Sequence, residues 1–172
     1  MELNKVELLA PAGDLERLKI AITYGADAVY IGGEIFGMRS AAKNFSKEDM
    51  AEGVAFAHER GKKVFVTVNI IPHNEDFLQL EDYLLELEEI GIDAVIIADP
   101  GVLSVIKKVI PNMEIHLSTQ ANTTNYLSAN FWYEHGIKRV VVARELSFDE
   151  ISEIRAKTPL DLSLIHISEP TR

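Results

Sequence analysis

The sequence predicts an α/β protein, a parallel (β/α)8 barrel of the TIM type of which about six β/α units are present. Four segments share one plan, in which a glycine ends a helix, a polar residue turns the chain and a short β-branched run begins. These segments start at Gly25, Gly61, Gly91 and Gly136. Their runs are apolar at nearly every position, which is typical of strands buried on both faces of a parallel sheet.

Strands and helices alternate along the chain with a repeat of about 27 residues, as expected for successive β/α units. No Gly-x-Gly-x-x-Gly turn follows a strand, so a doubly wound open sheet is the second choice. The strands are expected at 5–10, 27–32, 63–69, 93–98, 113–117 and 139–143.

Apolar residues three or four positions apart predict a helix after each strand. The helices are expected at 15–24, 46–60, 77–90, 100–109, 127–135 and 148–156. Asp14, Ser46 and Ser147 stand where an N-cap is needed, and the segment from Ser46 to Asp49 has the pattern of a capping box.

We expect the end of the sequence to have a different origin from the rest. Residues 162–172 agree at every position with the in-frame translation of a transposase-type sequencing adapter. We therefore expect the natural sequence to stop near Asp161, and we assign residues 1–161 to a partial TIM-type barrel. His166 is for this reason no ligand candidate. Open strand edges predict that the chain by itself aggregates and is inactive.

Composition excludes several classes of protein. Apolar residues make up 47% of the chain and aromatic residues 8%, as in globular rather than disordered proteins. No apolar run approaches the roughly 18 residues of a membrane span, and the first residues do not resemble a signal peptide. The cytoplasm is the expected location, with no membrane partner. The absence of cysteine excludes disulfides and thiolate metal sites within this chain.

The net charge of −10 gives no general basic face for nucleic acid. Local basic spots remain at Lys62–Lys63, Lys107–Lys108 and Lys138–Arg139.

A polar run from His116 to Asn125 lies between the fifth strand and the fifth helix. Most of its side chains can form hydrogen bonds, yet only the histidine can carry charge. Such a density of neutral polar groups where a strand passes into a helix is typical of a small-molecule or nucleotide pocket. A helix N-cap from Asn122, Thr123 or Thr124 is the alternative, but it accounts for only one or two residues.

In a barrel the carboxyl ends of all strands meet at one mouth, so polar residues there are site candidates. The strongest are Asn69, Asp99, His116, Gln120, Arg144 and Glu145. Each has a structural alternative: Asp99 can cap the fourth helix, Arg144 and Glu145 can form a plain ion pair, and His116 can be a hydrogen-bonded core residue. No spacing typical of a metal site or a nucleophile elbow occurs, and the class of chemistry does not follow from these residues alone.

Several motifs resemble the N-terminal half of the U32 peptidase family across residues 5–161. They are Leu8-Leu9-Ala10-Pro11-Ala12-Gly13, Gly25-Ala26-Asp27-Ala28-Val29-Tyr30, Arg39 with Asn44-Phe45, Val68-Asn69, Ser118-Thr119-Gln120-Ala121-Asn122 and Arg144-Glu145-Leu146. The family is named for collagenase-like protease activity. The resemblance also implies oxygen-independent hydroxylation of tRNA wobble uridine, ribosomal cytidine or the ubiquinone ring, with prephenate as oxygen donor in the tRNA branch. It implies a [4Fe–4S] cluster whose four cysteines lie beyond this chain, which itself holds no cofactor.

The resemblance favours a prephenate-dependent RNA hydroxylase, because a hydrolase needs a positioned nucleophile and base or a metal-bound water that the residues do not offer. A collagenase-like metal-dependent peptidase and a non-catalytic partner subunit of a hydroxylase pair are the alternatives. A guanidinium of Arg39 or Arg144 suits a carboxylate such as that of prephenate. The full set of expected substrate-binding residues is Arg39, Asn69, Asp99, His116, Gln120, Asn122, Arg144 and Glu145, with no metal ligand.

Overall fold

The computed structural model describes residues 6–37 and 44–164. Within these ranges, seven strands form one parallel sheet in the order in which they occur along the chain. They are β1 (Leu9–Pro11), β2 (Ala28–Gly32), β3 (Lys63–Val68), β4 (Ala94–Ile97), β5 (Glu114–Leu117), β6 (Arg139–Val141) and β7 (Asp161–Ser163). A doubly wound sheet reverses its strand order near the middle, so the sequential order excludes that alternative.

Helices alternate with these strands, as the apolar spacing predicted. They are α1 (Leu15–Thr23), α2 (Lys47–His58), α3 (Phe77–Ile90), α4 (Pro100–Val109), α5 (Tyr126–Glu134) and α6 (Phe148–Lys157). The side chains of Asp14, Ser46, Asp99 and Ser147 each accept a hydrogen bond from the backbone N–H three residues later, which confirms them as N-caps. In the part of the chain that the structure describes, no helix is both long and apolar enough to cross a membrane.

The two faces of the sheet have different environments. The outer face belongs to the main core with the helices, and Val66 and Val95 there are fully buried. The inner face carries a smaller apolar cluster, formed by Ala28, Phe65, Ala94 and Ile96. The alternation of a strand places these two sets on opposite sides.

The sheet is curled around its inner face. Arg139 Nη1 of β6 donates a hydrogen bond of 2.6 Å to Oε1 of Glu7, which lies just before β1. In a flat sheet, five strand spacings would separate those strands by about 24 Å. Phe65 of β3 also meets His116 of β5 across this face, with ring centroids 4.7 Å apart. Such curvature, with helices outside, is the architecture of a (β/α) barrel.

The structure departs from the sequence prediction in two details. A seventh strand follows the six expected β/α units and pairs with β6, so the expected boundary near Asp161 falls within a strand. The reciprocal capping box forms at Ser147 and Glu150, whereas Ser46 accepts the bond from Asp49 N without a return contact from the Asp49 side chain. A glutamate side chain is one methylene longer than that of aspartate, so its carboxylate can reach back and accept a hydrogen bond from the N–H of the cap residue.

Candidate functional site

The carboxyl ends of the strands meet at one end of the curled sheet because all strands are parallel. The candidate residues that follow these ends are Asn69 after β3, Asp99 after β4, Gln120 and Asn122 after β5, and Arg144 and Glu145 after β6. The fold therefore brings these six to one mouth. Arg39 lies outside the described residues.

Phe36 and Phe45, in the described parts of the chain after β2, contact the carboxyl ends of β2 and β3. Phe45 forms a parallel bridge to Gly33. The carbonyl of Phe36 accepts hydrogen bonds from the N–H groups of Asn69 and Ile70, at 3.1 and 3.3 Å. The backbone around Asn69 is thus fixed by a neighbouring loop rather than by a further sheet ladder.

A polar corner lies between β2 and β3 at this end. Gly32 and Thr67 are register partners, and a β-carbon at Gly32 would lie 3.5 Å from Thr67 Oγ1 and 3.7 Å from Asn44 Oδ1. Asn69 Oδ1 is fully buried and has no hydrogen-bond partner among the described residues. Leaving such an acceptor unpaired costs about 1–3 kcal/mol. A ligand group that donates a hydrogen bond to this oxygen would recover that cost.

Asp99 is the N-cap of α4, as the structural alternative predicted. Its Oδ1 accepts a hydrogen bond of 3.0 Å from Val102 N. The residue is only partly buried, so the cap leaves its second oxygen able to accept a hydrogen bond from a ligand.

The β5–α5 loop uses part of its polar run for local structure. Ser118 Oγ caps the short 3-10 helix Thr119–Ala121, and Asn125 Oδ1 accepts a hydrogen bond of 2.9 Å from Ser128 N at the start of α5. The cap of α5 is therefore Asn125. The alternative interpretation, which expected one of the three residues before it, is wrong on this point. Asn122 instead adopts the left-handed conformation, with φ of 52°.

Three residues of the same loop remain available after these caps. Gln120 and Asn122 are exposed. Thr123 is 2% exposed, and its hydroxyl has no hydrogen-bond partner within the described ranges. Nothing in the sequence distinguished Thr123 from its polar neighbours as a residue with a buried, unpaired hydroxyl.

Arg144 and Glu145 are both exposed beyond β6. The two side chains form no ion pair with each other or with any described residue, which argues against the plain ion pair considered from the sequence. Among the described residues no carboxylate pairs with the Arg144 guanidinium, and such a group can bind a carboxylate through two parallel hydrogen bonds.

His116 departs from its expected place at the mouth. It lies within β5 and is 1% exposed, its edge meets Phe65, and its Nε2 is 2.7 Å from Oε1 of Glu114 at the amino end of the strand. Burial lowers the pKa of His116 below its usual 6.5, and the hydrogen bond to Glu114 offsets this only in part. The structural alternative holds for this residue, because its polar contact points away from the mouth.

A charged group that the sequence did not predict closes the amino end of the inner face. Glu7 bonds Arg139, and its Oε2 is 4.0 Å from Lys63 Nζ. Burial acts to raise the pKa of Glu114, but the hydrogen bond of His116 and the charges of Lys63 and Arg139 lower it overall. The one feature of the sequence that could have predicted this group is the position of its charged residues, at or just before the first residues of strands.

The residues present do not fit an iron–sulfur cluster. The chain contains no cysteine, and in residues 6–37 and 44–164 no three His, Asp or Glu side chains are grouped as metal ligands. Thiolates for a cluster would have to come from outside these 172 residues.

Two bacterial proteins are similar to this chain over nearly its whole length. It is 51% identical over 164 residues to tRNA hydroxylation protein P1 of Bacillus subtilis, which covers 95% of this chain and 39% of that protein. It is 42% identical over 155 residues to the 23S rRNA 5-hydroxycytidine C2501 synthase of Escherichia coli, covering 90% of this chain and 23% of that protein. The chain thus spans well under half the length of these relatives.

The fold has a counterpart among solved structures. The U32 peptidase Mk0906 superposes with a TM-score of 0.75 at 16% identity, over 95% of this chain and 70% of that one. At this identity the likeness concerns the fold alone. The sequence model of peptidase family U32 matches residues 13–166. The curled parallel sheet and this match together show that the chain belongs to peptidase family U32.

Proposed function

We propose that the protein hydroxylates RNA, with the wobble uridine of tRNA as its target and prephenate as the oxygen donor. The observation that carries this proposal is the 51% identity to a tRNA hydroxylation protein, which extends over 95% of the chain. A ribosomal cytidine is the second target class, since a relative at 42% identity is a 5-hydroxycytidine synthase. Action on tRNA agrees with the cytoplasmic location expected from the sequence.

The mouth supports binding of a small carboxylate beside a neutral base. Arg144 offers a guanidinium that no described carboxylate occupies, and a carboxylate of prephenate would accept two hydrogen bonds from it. The orphan oxygens of Asn69 and Thr123 suit an uncharged ligand, because they pair with N–H or O–H groups. A [4Fe–4S] cluster, if the whole protein carries one, has its ligands elsewhere, and no step is assigned to it.

A barrel completed by an eighth strand is part of the same proposal. The present sheet has β1 and β7 at its edges, and Val6 and Leu8 beside β1 are 86% and 56% exposed. Closing the barrel would cover such apolar surface.

The test is RNA mass spectrometry in a strain that lacks the gene and receives the full-length gene on a plasmid. The intact gene should restore hydroxyuridine, and Arg144→Ala should lower its level at least tenfold, because a charged anchor for the carboxylate is lost. Arg60→Ala is the matched control, since Arg60 is an exposed arginine at the opposite end of the sheet. Unchanged hydroxyuridine and hydroxycytidine in the deletion strain would remove the proposal.

A collagenase-like peptidase is the second candidate, favoured by the family description alone. Purified full-length protein would then cleave gelatin or peptides and lose that activity on chelation. The third possibility, a partner subunit without catalysis, would show itself as a stable heteromer that still supports hydroxylation when Arg144 is replaced.

A further inference from the structure

We propose that Asn69 reads the Watson–Crick edge of a pyrimidine base, and that the corner between β2 and β3 is the base pocket of the candidate site. The inference rests on the RNA substrate proposed above and names the part of that RNA which enters the mouth.

The first support is the state of the Asn69 amide. Its Oδ1 is fully buried without a hydrogen-bond partner among the described residues, while the residue as a whole is partly exposed. The backbone is held in place by the bond from Asn69 N to Phe36 O at 3.1 Å. The backbone at Asn69 is thus held in place, and a ligand N–H or O–H group could supply the hydrogen bond that the amide oxygen lacks among the described residues.

The second support is chemical complementarity. A carboxamide offers an acceptor and a donor side by side. Uracil presents N3–H beside a carbonyl oxygen, and cytosine presents its amino group beside N3, so each edge matches an amide with two hydrogen bonds. Asparagine reads adenine in DNA through the same donor–acceptor pairing. A neutral amide also avoids the cost of burying a charge against an uncharged base.

The third support is a pair of side-chain oxygens at the carboxyl end of β2 and β3, where Thr67 precedes Asn69 by two residues. Gly32 has no side chain at the point where Thr67 Oγ1 and Asn44 Oδ1 lie 3.5 and 3.7 Å from a notional β-carbon. Thr67 Oγ1 already donates to Ile31 O at 3.2 Å, so it is left as an acceptor. These oxygens can receive hydrogen bonds from ribose hydroxyls or from an exocyclic amino group.

The orientation also agrees with the reaction. Enzymes that act on a base extrude it from the stack and hold its Watson–Crick edge in a pocket. A pyrimidine held by that edge keeps C5 on its free side, and C5 is the position named in the hydroxycytidine synthase to which the chain is similar. Asn69 would accordingly fix which atom of the ring faces the chemistry without taking part in it.

The experiment uses the full-length protein and a tRNA anticodon stem-loop with uridine at the wobble position. Asn69→Leu removes hydrogen bonding at similar volume, Asn69→Ala truncates the side chain, and Asn74→Ala changes an exposed asparagine of the same β3–α3 connection. Dissociation constants are measured at one salt concentration, for the normal stem-loop and for one carrying N3-methyluridine. Thermal unfolding of each variant is recorded in parallel.

Loss of a two-bond base contact should weaken binding by about 5- to 150-fold in Asn69→Leu and Asn69→Ala. N3-methylation should weaken wild-type binding by a similar factor and add nothing in the Asn69 variants, because both changes remove one contact. Asn74→Ala should bind as the wild type does. The Asn69 variants should melt no earlier than the wild type, since the amide oxygen has no hydrogen-bond partner in the described part of the chain.

Equal binding by wild type and both Asn69 variants would overturn the inference and leave the proposed function standing. A loss that is the same for the methylated and the normal stem-loop, or one accompanied by a clear drop in melting temperature, would assign Asn69 a structural role instead. Failure of the wild type to bind either RNA would remove the proposed function together with this inference.

Discussion

The hydroxyl of Tyr83 on α3 occupies the space that a β-carbon on Gly33 would need. Tyr83 is 7% exposed, and its hydroxyl has no hydrogen-bond partner among the described residues. Burial raises the pKa of the Tyr83 phenol, with a further contribution from Glu86, so the group stays neutral at any physiological pH. Position 33 therefore requires glycine because the Tyr83 side chain of α3, which is distant in sequence, leaves no room for a β-carbon.

Replacing Gly33 by alanine should lower the free energy of unfolding by about 1–3 kcal/mol, because the added methyl group meets the phenol. Tyr83→Phe should be neutral or stabilising, since it removes a buried hydroxyl without breaking a hydrogen bond. The double variant should recover much of the loss. Urea unfolding of all four proteins measures this, and a double variant as unstable as Gly33→Ala would contradict the assigned contact.

The ion pair of Glu7 and Arg139 should contribute measurably to stability, because both side chains are largely shielded, with 29% and 16% exposed. We expect Glu7→Gln and Arg139→Met each to cost about 1–3 kcal/mol, and the double variant to cost less than their sum. Lys108→Met breaks the exposed pair with Glu81 and should cost at most about 1 kcal/mol. Additive losses in the double variant would show that the two groups do not interact.

Stability should fall with acid partly through His116. The pKa of His116 in the folded protein is lowered from 6.5, so the unfolded chain binds a proton more readily than the folded one. The free energy of unfolding therefore falls as the pH drops below that value. His116→Gln should flatten the dependence of unfolding free energy on pH between 7 and 5, by up to about 1.4 kcal/mol per pH unit. Urea unfolding of both proteins at a series of pH values measures this dependence. Parallel profiles for His116→Gln and wild type would count against the assignment.

Features set by local chemistry could be predicted from the sequence. The caps at Asp14, Ser46 and Ser147 depend on a side chain and a backbone N–H three residues apart. The glycines after the helices have positive φ, between 65° and 110°, which only glycine adopts without strain. The same local regularity gave the order of strands and helices, and hence the barrel.

Features set by contacts across the barrel could not be predicted. Glu7 and Arg139 are 132 residues apart in sequence, and no periodic pattern links them. For His116, alternation along β5 indicates the inner face but not whether the imidazole turns toward the mouth or toward Glu114. At the β5–α5 loop, several adjacent residues had side chains able to cap α5, and the pattern did not single out Asn125, which is the cap in the structure.

The charged group around Glu7 also bears on the direction from which ligands reach the candidate site. Its side chains hydrogen-bond one another at the amino end of the inner face, opposite the candidate site at the carboxyl ends of the strands. Under the function proposed above, a small carboxylate and an RNA would both bind at the carboxyl end, where the larger RNA would cover the smaller ligand. We therefore expect ordered binding, with the small carboxylate first and the RNA second.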